Sequence, residues 1–300
     1  MSIPLFVSMG YGPEHAVFLH AKDLWTAHRR FFRDVAEIIF FRTSLDLRPN
    51  QFSYSNGEYL FGPAYLPSEA PRDRQVSWDS EFIVDRQLKL YRKLLETNKH
   101  PFWLFSTTVT SAVDFRALRV LVDQLDCRKT YAGGILQALL QAGMGPDLPA
   151  GGVLRMVSGS GTLLSSDLLE IVLERSPLLD RHMLNDVWLS LILRDIPRVP
   201  FLRYDMTDVT EFTPASRLLL HARIRQAREE GHFHFRVKSG RWEIDDQLEH
   251  NPEQIDPLVI NDLLLGMLAS PSNSEAVLRG WTLHKQQFCD LDGQAMKPIA

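Results

Sequence analysis

Cysteine is scarce in this chain of 300 residues: there are two, Cys127 and Cys289. Two thiols cannot build a disulfide framework, and they cannot close a four-ligand zinc site by themselves. A reducing compartment is the expectation. An excess of charge of one sign is also missing. Lys and Arg number 33 against 37 Asp and Glu, a formal net charge of -4. That balance leaves no polyanion footprint, so nucleic acid is not an expected partner. No run reaches ~18 apolar residues without charge, so no transmembrane segment is expected. The opening Met-Ser-Ile-Pro-Leu-Phe-Val has no basic region of a signal peptide. A cytoplasmic location is the expectation. Several catalytic signatures are absent too: the phosphate loop, His-Glu-x-x-His and Gly-x-Ser-x-Gly. Gly159-Ser160-Gly161 lacks the third glycine of a dinucleotide fingerprint and reads as a tight turn.

What is present is a globular composition. Apolar residues make up 45% and charged residues 23%, which excludes disorder on compositional grounds. Apolar runs at 3–9, 36–41 and 102–105 read as buried strands. Helical periodicity predicts helices over 15–33, 78–95, 114–125, 168–175, 187–194, 215–229 and 255–268. Further short strands are predicted at 130–134, 153–157, 201–204 and 233–237. Residues 42–57 read as turn, 141–152 as loop, and the stretch after Pro271 is weakly patterned. The basic helix 215–230 reads as a solvated face, with an anionic surface as the alternative. Strands alternate with helices, so the class is α/β with a mostly parallel central sheet. There is no internal repeat and no linker, which favours one domain.

Three segments carry chemistry. The strand 102–105 exits into Ser106-Thr107-Thr108-Val109-Thr110-Ser111. Residues 156–167 read Met-Val-Ser-Gly-Ser-Gly-Thr-Leu-Leu-Ser-Ser-Asp, and 184–190 read Leu-Asn-Asp-Val-Trp-Leu-Ser. In these segments the chain resembles the GT-A glycosyltransferases, in particular the Fringe-like and β-1,3-galactosyltransferase-like branch. The two later motifs are the specific ones. The resemblance runs from Ile3 to Lys238 and is loose elsewhere.

The resemblance implies a GT-A-like (Rossmann-like) domain over 1–268 with a C-terminal tail over 269–300. It implies transfer of a sugar, a hexosyl group, from a nucleotide-sugar donor to a saccharide hydroxyl of a cell-surface glycan. Without a luminal anchor, a bacterial enzyme of polysaccharide biosynthesis is the expectation. Asp186 takes the place of the general base of inverting relatives; a residue that merely suits the helix dipole is the structural alternative. Thr107, Thr108, Thr110, His234 and Lys238 are implied at the donor. Ser158, Gly159, Ser160, Gly161 and Trp188 are implied at the acceptor, the glycines by letting a sugar approach the backbone and Trp188 by stacking, although Trp188 reads first as a core residue. His232 and His234 are two apart on a strand and are expected on one side.

The Asp-x-Asp motif that holds Mn2+ or Mg2+ in relatives is absent from the exit at 106–110. Four alternatives stand. Asp114, with His234, supplies the metal site; the enzyme is metal-independent and uses cationic side chains; the donor carries less charge; or catalysis is lost. Asp114 also reads as a helix N-cap. The competing function is a catalytically inactive GT-A-fold protein that binds a saccharide or a protein, and a third is an unrelated α/β enzyme.

Overall fold

The computed structural model describes residues 2–12, 16–63, 78–139, 153–178, 185–206, 209, 212–237 and 252–295. Chain order begins with β1 (Leu5–Gly10), α1 (Ala16–His28), β2 (Glu37–Thr43), β3 (Phe52–Ser55), β4 (Glu58–Phe61) and α2 (Trp78–Thr97). It continues with β5 (Trp103–Thr108), β6 (Ser111–Val113), α3 (Phe115–Val122), β7 (Tyr131–Leu139), β8 (Val153–Ser165), α4 (Ser166–Arg175) and α5 (Asn185–Ile192). Last come β9 (Arg198–Pro200), β10 (Arg203–Met206), α6 (Pro214–Glu229), β11 (His234–Val237), α7 (Pro252–Ala269) and α8 (Ser274–Ala295).

An eight-stranded sheet has the order β3-β4-β2-β1-β5-β8-β7-β9. Pairing is parallel for β1 with β2, β1 with β5, β2 with β4 and β7 with β9. It is antiparallel at the β3 edge and on both sides of β8. A second sheet, β10-β11-β6, lies beside the first. The architecture is α/β, as the alternation of elements predicts.

Both faces of the large sheet are covered, which is why its strands read as unbroken apolar runs. Leu5, Val7, Met9, Trp103 and Phe105 pack with Trp25, Phe115, Leu118 and Leu263 in one core cluster. Phe6, Ile39, Phe102 and Leu104 pack with Leu88, Tyr91, Leu168 and Trp188 in the other. Each large side chain so buried contributes roughly 1.5–3 kcal/mol.

Three expectations change. Residues 52–55, inside the stretch read as turn, form a strand that pairs in a hairpin with the short strand 58–61, where Gly62 and Pro63 limit any strand to a short one. The hairpin corner is Asn56-Gly57, with φ of 52° and 76°, the pair that a tight hairpin requires. All four β3 residues are exposed, Phe52 and Tyr54 included, and their alternation with serine is too short to stand out from the polar turn around it. Next, β8 does not stop at Val157 but runs through Ser158-Gly159-Ser160-Gly161 to Ser165. Last, α8 occupies the weakly patterned stretch. Asn273 caps it through Oδ1, which accepts from the Glu275 and Ala276 amides at 2.8 and 3.3 Å. Its fully buried inner face is small, namely Ala276, Val277 and Gly280, so its periodicity is faint. The loop read at 141–152 lies outside the described residues.

Candidate functional site

In an open α/β sheet, ligands bind beyond the carboxyl ends of the parallel strands, where the strand order reverses. Here β2 and β4 lie on one side of β1 and β5 on the other, so that point falls between β1 and β5. Gly10 is level with Thr108 across this seam, and Met9 with Thr107. The seam is polar at its end. Ser8 Oγ and Ser106 Oγ are 2.9 Å apart and buried. Thr108 Oγ1 lies 3.2 Å from both Thr110 Oγ1 and Ser111 Oγ. Thr107 and Thr110 are buried, whereas Thr108 is half-buried and reachable. Beside the seam, Tyr11 donates to Glu58, which also pairs with Lys22 and Arg42 at 3.4 Å each. Burial and the adjacent carboxylate push the Tyr11 hydroxyl pKa up, so it remains a donor.

The β5–β8 ladder ends at Ser106 opposite Thr162. Beyond it, Gly161 to Ser158 pass the same edge of the sheet. A Cβ on Gly161 would fall 2.6 Å from His234 Nδ1, and its φ of +140° suits glycine alone. A Cβ on Gly159 would fall 2.7 Å from Asn185 Oδ1. One strand therefore touches His234 on β11 and the residue before Asp186 on α5.

The two serines between these glycines are engaged. Arg203 on β10 donates to Ser158 Oγ and, at 3.1 Å, to Ser160 Oγ. Its other nitrogen donates to Asp205 Oδ2 at 2.6 Å. Ser158 and Ser160 are buried. The space beside each glycine is filled by protein. The expectation that a sugar approaches Gly159 and Gly161 directly is thus replaced by a packing role. Trp188 needs a correction too: it is 2% exposed and lies in the core cluster, not on a sugar-facing surface.

Asp186 is half-buried in the first turn of α5, and its Oδ1 accepts from the Val187 amide at 2.9 Å. One turn later Ser190 Oγ is 2.7 Å from Tyr131 Oη. Burial, with Asp186 nearby, pushes the Tyr131 hydroxyl up to about 12. His234 is buried edge-on against Phe105 at 5.8 Å. Desolvation first, then Arg203 and Arg236, holds its pKa well below 6.5, so the ring is neutral. Its Nε2 and the Thr107 Oγ1 are both buried without a hydrogen-bond partner among the described residues. His232 does not join it: it precedes β11 and lies edge-on to Tyr204 at 5.5 Å. Lys238 lies outside the described residues.

A divalent ion does not fit the described donors. Asp114 is 1% exposed and caps α3. Its Oδ1 accepts from the Arg116 and Ala117 amides at 3.1 and 3.3 Å, and its Oδ2 from the Ser272 amide at 2.9 Å. Arg228 faces it at 3.8 Å. Both oxygens are spent on structure. Among the described residues no group of three His, Cys, Asp or Glu could hold a metal.

Arg203 and Asn185 are the residues that spacing did not single out. Arg203 interrupts the apolar run Val-Pro-Phe-Leu, which is the signal a buried cation leaves. Neither a family model nor a curated protein matches the chain. Among solved structures, the chain is similar to a glycosyltransferase involved in the glycosylation of the major capsid of PBCV-1. The identity is 6%, the TM-score 0.41, and the match covers 87% of this chain and 98% of that one. A likeness of this depth adds nothing to the reading of the site.

Proposed function

We propose that the protein is an inverting GT-A-type glycosyltransferase that uses a nucleotide-sugar donor and a saccharide acceptor. The observation that carries this reading is the strand 158–161, which contacts both Asn185, next to Asp186, and His234 beside the β1–β5 switch point. The two specific sequence motifs and the crevice expected of an open α/β sheet thereby coincide.

In this reading the donor lies over Thr107, Thr108 and Thr110, with Lys238 and His234 toward its phosphates. Asp186 takes the proton of an acceptor hydroxyl, and that oxygen attacks the anomeric carbon. The bond from this carbon to the phosphate oxygen breaks, and the nucleoside diphosphate leaves with the electron pair. Neutral His234 supplies a hydrogen bond but no charge. Arg203, fixed by Ser158, Ser160 and Asp205, supplies the cation, so transfer is metal-independent. The catalytic unit is the domain 1–268, against which α8 packs through Val277.

The test is transfer or hydrolysis of UDP-, GDP- and CMP-sugars in chelator, with the anomeric configuration of the product read by NMR. One donor should be turned over with inversion, and Asp186→Asn should slow transfer roughly 10²–10⁴-fold. The engaged state of Asp114 and of both motif serines favours one second reading, an inactive protein of the same fold that binds a saccharide. Nucleotide binding without turnover in any acceptor mixture would select it.

A further inference from the structure

Helices α6, α7 and α8 enclose a groove of about 880 Å³ that has no part in the site above. Its lining is cationic. Arg217, His221, Arg225 and Arg228 reach it from α6, and Arg279 from α8. These positions recur at three and four residues along α6, so they form one face. Asp262 on α7 is the internal counter-charge: Arg217 clamps it with two nitrogens at 2.5 and 2.6 Å, and His221 reaches it at 3.0 Å.

Arg228 and Arg279 donate to neutral acceptors. Arg228 donates to the Ser270 carbonyl and, at 3.4 Å, to Ser272 Oγ, with the buried Asp114 behind it at 3.8 Å. Arg279 donates to the Glu229 carbonyl at 3.3 Å. Arg225 and Arg279 have no carboxylate partner among the described residues. Glu229 also lines the groove. Four arginines thus stand against Asp262, Glu229 and Asp114, a local excess of positive charge on a chain whose net charge is -4.

The same helices expose leucine. Leu218 and Leu219 on α6 are 73% and 70% exposed, and Leu258 and Leu265 on α7 are 48% each. Leu218 precedes His221 by three residues and Arg225 by seven, and Leu258 precedes Asp262 by four and Leu265 by seven, so each set shares a helix face. The leucines therefore border the cationic lining. Apolar side chains at the rim and cations behind them match a layer whose acyl chains lie beside phosphates.

We propose that this face docks on an anionic phospholipid surface, with the arginines on lipid phosphates and the leucines at the acyl boundary. Among the described residues no helix is long and apolar enough to cross a membrane, and the proposed association is peripheral. The proposal does not depend on the catalytic reading, because its test measures binding alone.

The test is co-sedimentation of the full chain with vesicles of phosphatidylglycerol and phosphatidylcholine, and with phosphatidylcholine alone. The protein should pellet with the anionic vesicles and stay in solution with the neutral ones. Binding should fall as NaCl is raised from low to high concentration. Arg225→Glu with Arg279→Glu should lower partitioning at least tenfold, since each basic residue near such a surface matters severalfold. Leu218→Gln with Leu258→Gln should lower it as well and leave the salt dependence intact. All four positions are exposed, and circular dichroism should show the variants folded like the wild type. Equal binding to both vesicle types, or none to either, would overturn the proposal. So would full competition by millimolar glycerol phosphate, which would make the groove a small-anion site.

Discussion

The His234 ring lies directly against the Cα of Gly161, so close that a methyl group there would fall 2.6 Å from Nδ1. With φ at +140°, Gly161→Ala meets both backbone strain and a steric clash. It should cost about 2–4 kcal/mol in chemical denaturation. In a His234→Ala background the clash disappears and only the strain remains. The cost should then drop to about 1–2 kcal/mol. Equal costs in the two backgrounds would mean that the ring moves aside.

The same histidine makes stability depend on pH. Its folded pKa lies below the unfolded value of 6.5, so the unfolded chain binds the extra proton. Stability should therefore fall as pH drops below about 6.5, by up to ~1.4 kcal/mol per pH unit for each such group. Burial shifts His232 and His284 the same way. Denaturation midpoints from pH 7.5 to 5 should decline, and His234→Gln should flatten the decline by about one proton.

Asp114 tests the structural role of a carboxylate that resembles a metal ligand in sequence. Asp114→Ala removes an N-cap, opens the link to Ser272 and leaves Arg228 without its facing charge. The cost should be about 2–4 kcal/mol, read by thermal or chemical unfolding. Nucleotide affinity below the transition should not change. A loss of affinity with little loss of stability would return Asp114 to the site.

Asp186→Asn separates base from scaffold. The residue is half-buried and accepts only from its neighbouring amide among the described hydrogen bonds, so the melting temperature should shift by no more than a few degrees. Transfer should fall roughly 10²–10⁴-fold while donor affinity holds. Unchanged turnover would remove Asp186 from the chemistry.

Much of the scaffold is legible in the sequence because burial on both sheet faces writes unbroken apolar runs. Leu5–Met9 and Phe102–Phe105 are examples. Helix starts are legible where a polar side chain caps them, as at Asp114. The rest was hidden by elements that bury little. Phe52–Ser55 is a wholly exposed edge strand, and α8 docks through Ala276, Val277 and Gly280. At the site, the motif residues were legible but their neighbours were not. Glycine in a strand and glycine in a turn look alike in sequence. Only the tertiary arrangement shows that Gly159 and Gly161 make room for Asn185 and His234 rather than for a ligand. Arg203 comes from a different strand, 42 residues beyond Gly161, and no local pattern ties it to Ser158 and Ser160.

The β1–β5 edge is the proposed seat of the nucleotide-sugar donor, with Thr108 as its reachable hydroxyl. Calorimetric titration with UDP, GDP and CMP in chelator, on the wild type and on Thr108→Val, tests it most directly. Valine keeps the shape and removes the hydroxyl that contacts Thr110 and Ser111. One nucleotide should bind the wild type without metal, and Thr108→Val should weaken it about tenfold, the loss of one hydrogen bond to a charged group. Binding of no nucleotide, or binding indifferent to Thr108, would contradict it.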